Sequence, residues 1–238
     1  MAKNRALKTK TRRKRIRAVV IFCVLFVICN MLIRSELPSL LWKMGMMAVK
    51  NHTIPVSDEW NLIVVNRWNE IPENYSVTLI ELDNGQKVDS RIYPDLQEMF
   101  DAMRAEGICP TVREGYRTAE EQQEVLEERI QRYMNEGYSR SRAERTAKKW
   151  VAVPGTSEHQ LGIAVDINAD KTKSTNDEVY TWLAKNAYNY GFILRYPLGK
   201  EDITGSEYEP WHYRYVGMEA AEEIFNNHIC LEEYFDRE

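Results

Sequence analysis

The longest uninterrupted apolar stretch of the chain lies close to its N-terminus. Residues 18–33 contain no charged side chain and end at Arg34, whereas residues 1–17 hold nine Lys or Arg and no acid. This stretch approaches the roughly 17 to 25 residues of a spanning helix, and flanking arginines can lengthen it by snorkelling. The pattern predicts a cytoplasmic basic arm at 1–17 and a single membrane anchor at 18–34, with the remainder of the chain extracytoplasmic.

A cleaved signal peptide is the alternative interpretation, because a basic segment before a short apolar core is also its pattern. No small-x-small cleavage site follows the apolar stretch, where Glu36, Pro38 and bulky apolar residues stand instead. An uncleaved anchor is therefore favoured. Residues 35–57, interrupted by Pro38 and Pro55, are predicted to be a stem, and residues 58–238 an extracytoplasmic domain.

Within this domain, short apolar runs are interspersed with longer runs of helical period. Strands are predicted at Leu62–Val65, Val77–Leu82, Ile108–Val112, Ile163–Ile167, Phe192–Leu194 and Trp211–Val216. Helices are predicted from Pro94 to Gly107, from Thr118 to Glu136, from Ser141 to Trp150, from Asp177 to Tyr190 and from Met218 to Asn227. Because the two types are mixed without regular alternation, the predicted fold is α+β with a mainly antiparallel sheet.

Two local signals refine this prediction. Thr118 and Glu121 form a capping-box pattern, which starts a helix and places Arg117 just ahead of its N-terminus. Pro110 lies inside a predicted strand and cannot donate a ladder hydrogen bond, so that strand is expected at a sheet edge or at a bulge.

Charge is distributed unevenly along the chain. The whole chain carries −4 and residues 1–34 contribute +10, so residues 35–238 carry −14. Phosphate binding depends on clustered Lys and Arg, and nucleic acid is therefore not an expected partner of this domain. The basic arm is better explained by membrane topology.

The four cysteines fall into two groups. Cys23 and Cys29 lie in the apolar stretch, where they are interpreted as small hydrophobic residues. Cys109 and Cys230 lie in the extracytoplasmic part, where the compartment would allow one disulfide. Sequence leaves that pairing open, and no Cys-x-x-Cys indicates a thiolate metal site.

Two segments in the C-terminal half contain the residue types of a hydrolytic zinc site. His159 and Asp166 stand in the first segment and His212 in the second, which gives the three protein ligands that a catalytic zinc uses. Glu209 provides a further carboxylate that could take a proton from an activated water. A single His near an Asp is more often a structural hydrogen-bonding pair, so the hypothesis depends on the three ligands and the acid occurring together. Strand predictions place this zinc site at the sheet.

The chain resembles a known family in three motifs. Gly115-Tyr116-Arg117-Thr118, Ser157-x-His159-x-x-Gly162-x-Ala164-x-Asp166 and Glu209-x-Trp211-His212 are similar to those of VanY-type D-alanyl-D-alanine carboxypeptidases, zinc peptidases of the bacterial cell wall. The resemblance covers about residues 60–217. It implies that His159, Asp166 and His212 bind Zn²⁺, that Glu209 is the catalytic base, and that Arg117 holds the substrate's terminal carboxylate. It also implies that Gln122 and Ser157 line the peptide pocket.

These expectations combine into one hypothesis with three alternatives. The chain is expected to be a membrane-anchored zinc D,D-carboxypeptidase that removes the terminal D-Ala from peptidoglycan stem peptides. An L,D-carboxypeptidase acting on tetrapeptide stems and a D,D-dipeptidase are alternatives within the same chemistry, although a free dipeptide would be cytoplasmic. A non-catalytic, zinc-stabilised cell-wall binding module is the alternative from another class.

Overall fold

The computed structural model describes residues 59–235, and all structural statements concern this part of the chain. The predicted basic arm, anchor and stem all lie outside it. Between residues 59 and 235, no helix combines the length and the apolar character that crossing a membrane would require.

The described residues form an α+β fold, as predicted. The strands are β1 (Leu79–Glu81), β2 (Lys87–Asp89), β3 (Pro110–Glu114), β4 (Ala164–Ala169), β5 (Phe192–Leu194) and β6 (His212–Tyr215). The α-helices are α1 (Tyr93–Ala105), α2 (Ala119–Asn135), α3 (Arg140–Ala147), α4 (Asn176–Asn186), α5 (Glu201–Thr204), α6 (Met218–Asn227) and α7 (Leu231–Phe235). Two 3₁₀ turns, Glu158–Leu161 and Ala187–Tyr190, complete the list.

A four-stranded antiparallel sheet with the order β3-β4-β6-β5 forms the centre of the domain. β4 and β6 pair so that Ala164 lies opposite Arg214 and Asp166 lies opposite His212. Because side chains alternate between faces, Val165 and Ile167 point to the other side of β4, into the apolar core. The sheet therefore has one apolar face and one face that carries ionisable residues.

The apolar core fills the space between the sheet and two helices. On α1, the side chains of Leu96, Met99, Phe100 and Met103 are buried, which confirms the predicted apolar stripe. Val179, Trp182 and Leu183 of α4 join the same cluster. The sheet's position is thus fixed from the face opposite to its ionisable residues.

Local sequence signals placed several elements correctly. The Thr118 side chain accepts from the backbone of Glu121 and the Glu121 side chain accepts from the backbone of Thr118, so the predicted capping box is present. β3 contains Pro110, lies at the edge of the sheet and has a register shift between Val112 and Glu114. Both features agree with the expectation from Pro110.

The strand predicted at Leu62–Val65 is wrong. These residues lie outside any strand, although Leu62, Val64 and Val65 are buried. Their backbone is held by a side chain instead, because Arg214 donates from Nη2 to the carbonyl oxygens of Asn61 (3.1 Å) and Ile63 (2.8 Å). An apolar run of this kind shows burial, but not which hydrogen-bond partners its backbone finds.

Two helix ends differ from prediction, and one further helix appears near the end of the described residues. α3 ends at Ala147 rather than Trp150, and the helix predicted to reach Tyr190 changes to a 3₁₀ turn at Ala187. Met218–Asn227 is helical as predicted, but α7 follows it and was not predicted. Cys109 and Cys230 are both free thiols, so the disulfide that the sequence left open is not formed.

Candidate metal centre

The three candidate ligands meet on the ionisable face of the sheet. Asp166 lies on β4 directly opposite His212, the first residue of β6, and His159 lies in the 3₁₀ turn Glu158–Leu161. One ligand atom from each residue lies within 4.8 Å of the other two. Both imidazoles are buried, and Asp166 is partly buried. The arrangement can hold one metal ion among the described residues.

Each imidazole turns one nitrogen towards Asp166. His159 uses Nδ1 to contact the Gly115 carbonyl oxygen (2.8 Å), and its Nε2 lies 3.5 Å from Asp166 Oδ1. His212 faces the same oxygen with Nδ1, at 3.0 Å. A carbonyl that accepts from Nδ1–H fixes the His159 tautomer and leaves the lone pair on Nε2 for a metal.

The predicted Arg117 motif is attached to this turn by backbone contacts. The Arg117 amide donates to the His159 carbonyl (3.2 Å), and the Tyr116 amide donates to Lys87 O (2.6 Å). A Cβ on Gly115 would lie 2.2 Å from Lys87 O, which no side chain could tolerate. Glycine is therefore required at this position so that its carbonyl can reach His159.

The donor set suits zinc in a catalytic setting. Two imidazole nitrogens and one carboxylate oxygen are ordinary zinc ligands, and a three-ligand set leaves a position for water or substrate. A structural zinc site is normally closed by four protein ligands, whereas only three ligating side chains converge among residues 59–235. The residues present therefore fit a zinc ion with an open position.

Glu209 lies beside the ligands in a turn that precedes β6. The His212 amide donates to the Glu209 carbonyl (3.2 Å), and Glu209 Oε2 lies 3.8 Å from His212 Nδ1. Residues three apart on a regular strand would point to opposite faces, but Glu209 lies before β6 begins. Burial raises the pKa of the Glu209 carboxyl to about 8, and a cation on the three ligands would act in the opposite direction.

The ionisation of the ligands follows from their mutual contacts. Burial by itself would raise the pKa of the Asp166 carboxyl, but His159 and His212 hold it well below its usual range. Burial and the charge of Arg117 lower the pKa of His159. Burial also acts to lower the pKa of His212, yet the neighbouring carboxylates of Asp166 and Glu158 raise it to about 9.

A cleft of about 370 Å³ opens over the candidate ligands and Glu209. Its size lies within the range of ordinary ligand pockets. Arg117, Gln122 and Ser157 all line it, so the structure brings every site residue predicted from the sequence to one cavity. Trp211 forms part of the wall, whereas Tyr213 is buried in the apolar core.

Arg117 reaches from the motif into the cleft. Its Nη1 donates to Gln122 Oε1 (3.2 Å), and its Nη2 lies 3.8 Å from Asp166 Oδ2. Arg117 Nε is buried and lies 3.5 Å from Glu114 Oε2, without a hydrogen bond to any group in the described part of the chain. Gln122 is fixed in turn, because its Nε2 donates to Ala152 O (2.8 Å). The guanidinium thus keeps donor capacity close to the metal ligands.

Further cations line the same cleft. Arg67, Arg129 and Lys148 contribute to its walls, in addition to Arg117. This concentration of positive charge contrasts with the acidic balance of residues 35–238. Because the carboxylates of Glu158, Asp166 and Glu209 line the same cleft, these cations favour an anionic ligand only at the walls that they occupy.

A buried group of four charged residues beneath the site was not predicted. Glu158 Oε1 accepts from Arg195 Nε (2.7 Å) and Arg214 Nη1 (2.8 Å). Glu232 of α7 accepts from Arg195 Nη1 and Nη2 at 2.9 and 2.7 Å. We call Glu158, Arg195, Arg214 and Glu232 the buried charge network. It carries two negative and two positive charges.

Sequence contained a partial signal for this network. Arg195 directly follows the apolar strand β5, and Arg214 interrupts the aromatic strand β6, positions at which a lone charge needs a buried partner. The partners of Arg195, Glu158 and Glu232, each lie 37 residues away from it, and Glu158 lies 56 residues from Arg214. Sequence order could not identify them. The other two histidines were not predicted as ligands: His228 is exposed, and His52 lies outside the described residues.

Comparisons with known proteins agree with the site. A family model described as VanY: D-alanyl-D-alanine carboxypeptidase matches residues 85–218, which contain every predicted site residue. The chain is similar to a D-alanyl-D-alanine carboxypeptidase of Enterococcus faecalis (strain ATCC 700802 / V583), with 57% identity over 180 residues that cover 76% of this chain and 67% of that protein.

Two solved structures are similar as well. One is VanYB in complex with D-alanine-D-alanine, with a TM-score of 0.74, 57% identity, and coverage of 76% of this chain and 99% of that chain. The other is a variant of the vancomycin resistance D,D-pentapeptidase VanY from a VanB-type resistance cassette in complex with Zn(II). It has a TM-score of 0.73 and 57% identity, and covers 74% of this chain and 99% of that chain.

Replacing a candidate ligand should remove metal binding. We expect His212→Ala to weaken zinc binding by more than the roughly 10- to 100-fold that loss of an outer-shell partner causes, because a direct ligand is removed. His228→Asn is the matched control, since His228 is exposed and has a left-handed backbone conformation that Asn tolerates. Chelator competition on both purified variants measures the affinity. Equal zinc affinity in His212→Ala and wild type would contradict the site.

Proposed function

We propose that this protein is a zinc-dependent D,D-carboxypeptidase of the cell wall. The chain belongs to the VanY family of D-alanyl-D-alanine carboxypeptidases. Its substrate is the D-Ala-D-Ala terminus of peptidoglycan stem peptides. The observation that carries the proposal is the convergence of His159, Asp166 and His212 beside Glu209 in one cleft.

His159, Asp166 and His212 hold the zinc ion. A zinc ion bound there would act as a Lewis acid, which polarises a peptide carbonyl and makes a water acidic enough to lose a proton near neutral pH. The protein's own contribution is to fix the ligands: Gly115 O holds the His159 ring, and the β4–β6 register holds Asp166 against His212. The site is therefore in place before substrate enters.

Glu209 acts as the proton carrier of the reaction. Its carboxylate takes a proton from the attacking water as the new C–O bond forms, and it returns that proton to the leaving amine as the C–N bond breaks. Its position in the turn before β6, 3.8 Å from His212, keeps it next to the ligands without making it one of them. A purely structural metal site would have no use for such an acid, which disfavours the non-catalytic binding module.

Arg117 binds the C-terminal carboxylate of the stem peptide. A guanidinium presents a planar fork of donors that matches a carboxylate, and Arg117 lines the cleft with its Nη2 close to the metal ligand Asp166 (3.8 Å from Oδ2). Gln122 steadies the guanidinium through the contact with Nη1, and Ser157 forms part of the pocket wall next to His159. Arg129 and Lys148 add positive charge to the walls, which favours an anionic substrate.

The cellular position follows from the sequence outside the described residues. The basic arm of residues 1–17 and the apolar run of residues 18–34 support a single-pass anchor with the N-terminus in the cytoplasm. The catalytic domain then lies on the side of the membrane where stem peptides are found. A D,D-dipeptidase would act on a cytoplasmic dipeptide, so this topology favours the carboxypeptidase. The acidic domain has no evident use for nucleic acid.

Replacing the proton carrier should abolish hydrolysis while leaving metal binding intact. We expect Glu209→Gln to lower kcat for D-Ala release from a pentapeptide by about 10²- to 10⁴-fold, with zinc content unchanged. Glu207→Gln is the matched control, because Glu207 makes an ion pair with Lys149 (3.7 Å) and does not line the cleft. Full activity of Glu209→Gln would exclude the mechanism.

Faster release of the terminal residue from a tetrapeptide than from a pentapeptide by the wild-type enzyme would favour the L,D-carboxypeptidase.

Replacing the guanidinium of Arg117 by an ammonium group should weaken substrate recognition. We expect Arg117→Lys to lower kcat/KM for the pentapeptide by roughly 10- to 150-fold, which corresponds to about 1.5–3 kcal/mol for a charge-assisted hydrogen bond. Arg113→Lys on the preceding strand β3 is the control, since its side chain is 67% exposed. Steady-state kinetics with the pentapeptide and with its C-terminal amide separate the two roles. If the amide is as good a substrate for wild type as the free acid, Arg117 does not bind the carboxylate.

The anchor can be tested in cells of a Gram-positive host. We expect the full chain to sediment with membranes and to be degraded by protease added outside, whereas a variant lacking residues 1–34 should stay in the cytoplasm, because it has no export signal. Mass spectrometry of the N-terminus of the membrane fraction distinguishes the alternatives. A mature chain that begins after residue 34 would establish a cleaved signal peptide instead.

A further inference from the structure

The second ring nitrogen of His212, Nε2, faces the carboxylate of Glu158. Its Nδ1 is directed to Asp166, so Nε2 points away from the ligand cluster into the protein. There Nε2 lies 3.7 Å from Glu158 Oε2. Both atoms are fully buried, and neither makes a hydrogen bond within residues 59–235. Two unpaired polar atoms, one able to donate and one able to accept, thus face each other just beyond hydrogen-bonding distance.

Glu158 is held in place by its other oxygen. Oε1 accepts from both Arg195 and Arg214, and the side chains of all three residues are completely buried. Arg195 is itself clamped by Glu232, which also accepts from Asn66 Nδ2 (2.9 Å). Because the two guanidiniums occupy Oε1, Oε2 is free to accept from His212.

The sheet explains why these groups meet. His212 and Arg214 stand two residues apart on β6 and so project from the same face. The Arg195 amide donates to the His212 carbonyl (3.2 Å), which continues the β5–β6 ladder and places Arg195 beside His212. Glu158 precedes the ligand His159 in the 3₁₀ turn and lies over these three side chains.

We propose that Glu158 is a positioning residue of the metal centre, which accepts the Nε2–H of His212 and thereby keeps the lone pair of Nδ1 directed at the metal. A histidine ligand whose distal N–H is bound by a carboxylate has one fixed tautomer and one fixed ring orientation, and it is a more basic ligand. Arg195 and Arg214 act one step further out, because they hold Glu158 as an oriented carboxylate. The inference rests on the zinc site of the proposed function.

The chain offers a matched pair of substitutions. Glu158→Gln and Glu232→Gln each remove one negative charge from the buried charge network, but only Glu158 faces a metal ligand. We expect Glu158→Gln to weaken zinc binding to the purified full chain by about 10- to 100-fold in chelator competition. Glu232→Gln should bind zinc as wild type does, although both variants should unfold at lower temperature. Equal zinc affinities for the two variants would overturn the proposal, because Glu158 would then serve the fold alone.

A second measurement does not depend on any variant folding. In zinc-loaded wild type labelled with ¹⁵N-histidine, the chain's four histidines allow the ring signals to be assigned. We expect His212 Nε2 to carry a proton protected from exchange with water, and Nδ1 to carry the metal. A metal-bound or freely exchanging Nε2 would overturn the inference while leaving the zinc enzyme intact. Failure of wild type to bind zinc at all would instead overturn the proposed function, and this inference with it.

Discussion

The antiparallel pairing of β4 with β6 places Asp166 opposite His212, and the remainder of the site is arranged around that pair. Strand register has a period of two, so a shift by one residue would turn one of these side chains to the apolar face of the sheet. The shift is opposed by the core, because Val165, Ile167 and Tyr213 occupy that apolar face. The packing that stabilises the domain therefore also fixes two of the three metal ligands.

The third ligand is fixed by backbone contacts between separate motifs. The turn that carries His159 receives the amide of Arg117 and gives its imidazole Nδ1 to the carbonyl of Gly115. The Arg117 motif is in turn held against β2 through Lys87, where a side chain on Gly115 could not fit. Arg117 and His159 are thus parts of one backbone-linked unit, which in the proposed function would keep the bound carboxylate at a constant distance from the reacting bond.

Charge is used differently inside and outside the domain. Residues 35–238 carry a net charge of −14, the cleft lining includes four cations and three carboxylates, and the buried charge network beneath the site balances two carboxylates with two guanidiniums. Buried ion pairs contribute little to stability compared with apolar packing, but breaking one partner away is costly. The position of Glu158 directly behind His212 is better understood as orientation of a metal ligand, whereas Glu232 pairs with Arg195 and faces no ligand.

The sequence by itself determined the residue types of the site, the α+β class and most elements, because these depend on local patterns. The capping box at Thr118, the apolar stripe of α1 and the edge position of β3 could all be predicted from neighbouring residues. The strand wrongly predicted at Leu62–Val65 shows the limit: burial was correct, but its backbone is bound by Arg214, 151 residues further along from Ile63.

Only the tertiary structure decided which atoms face one another. It brought Glu158, Arg195, Arg214 and Glu232 together, left Cys109 and Cys230 apart as free thiols, and placed Glu209 close to His212. Hydrogen bonds and ion pairs act over a few ångströms between residues that are distant in the chain, and sequence spacing does not encode that distance.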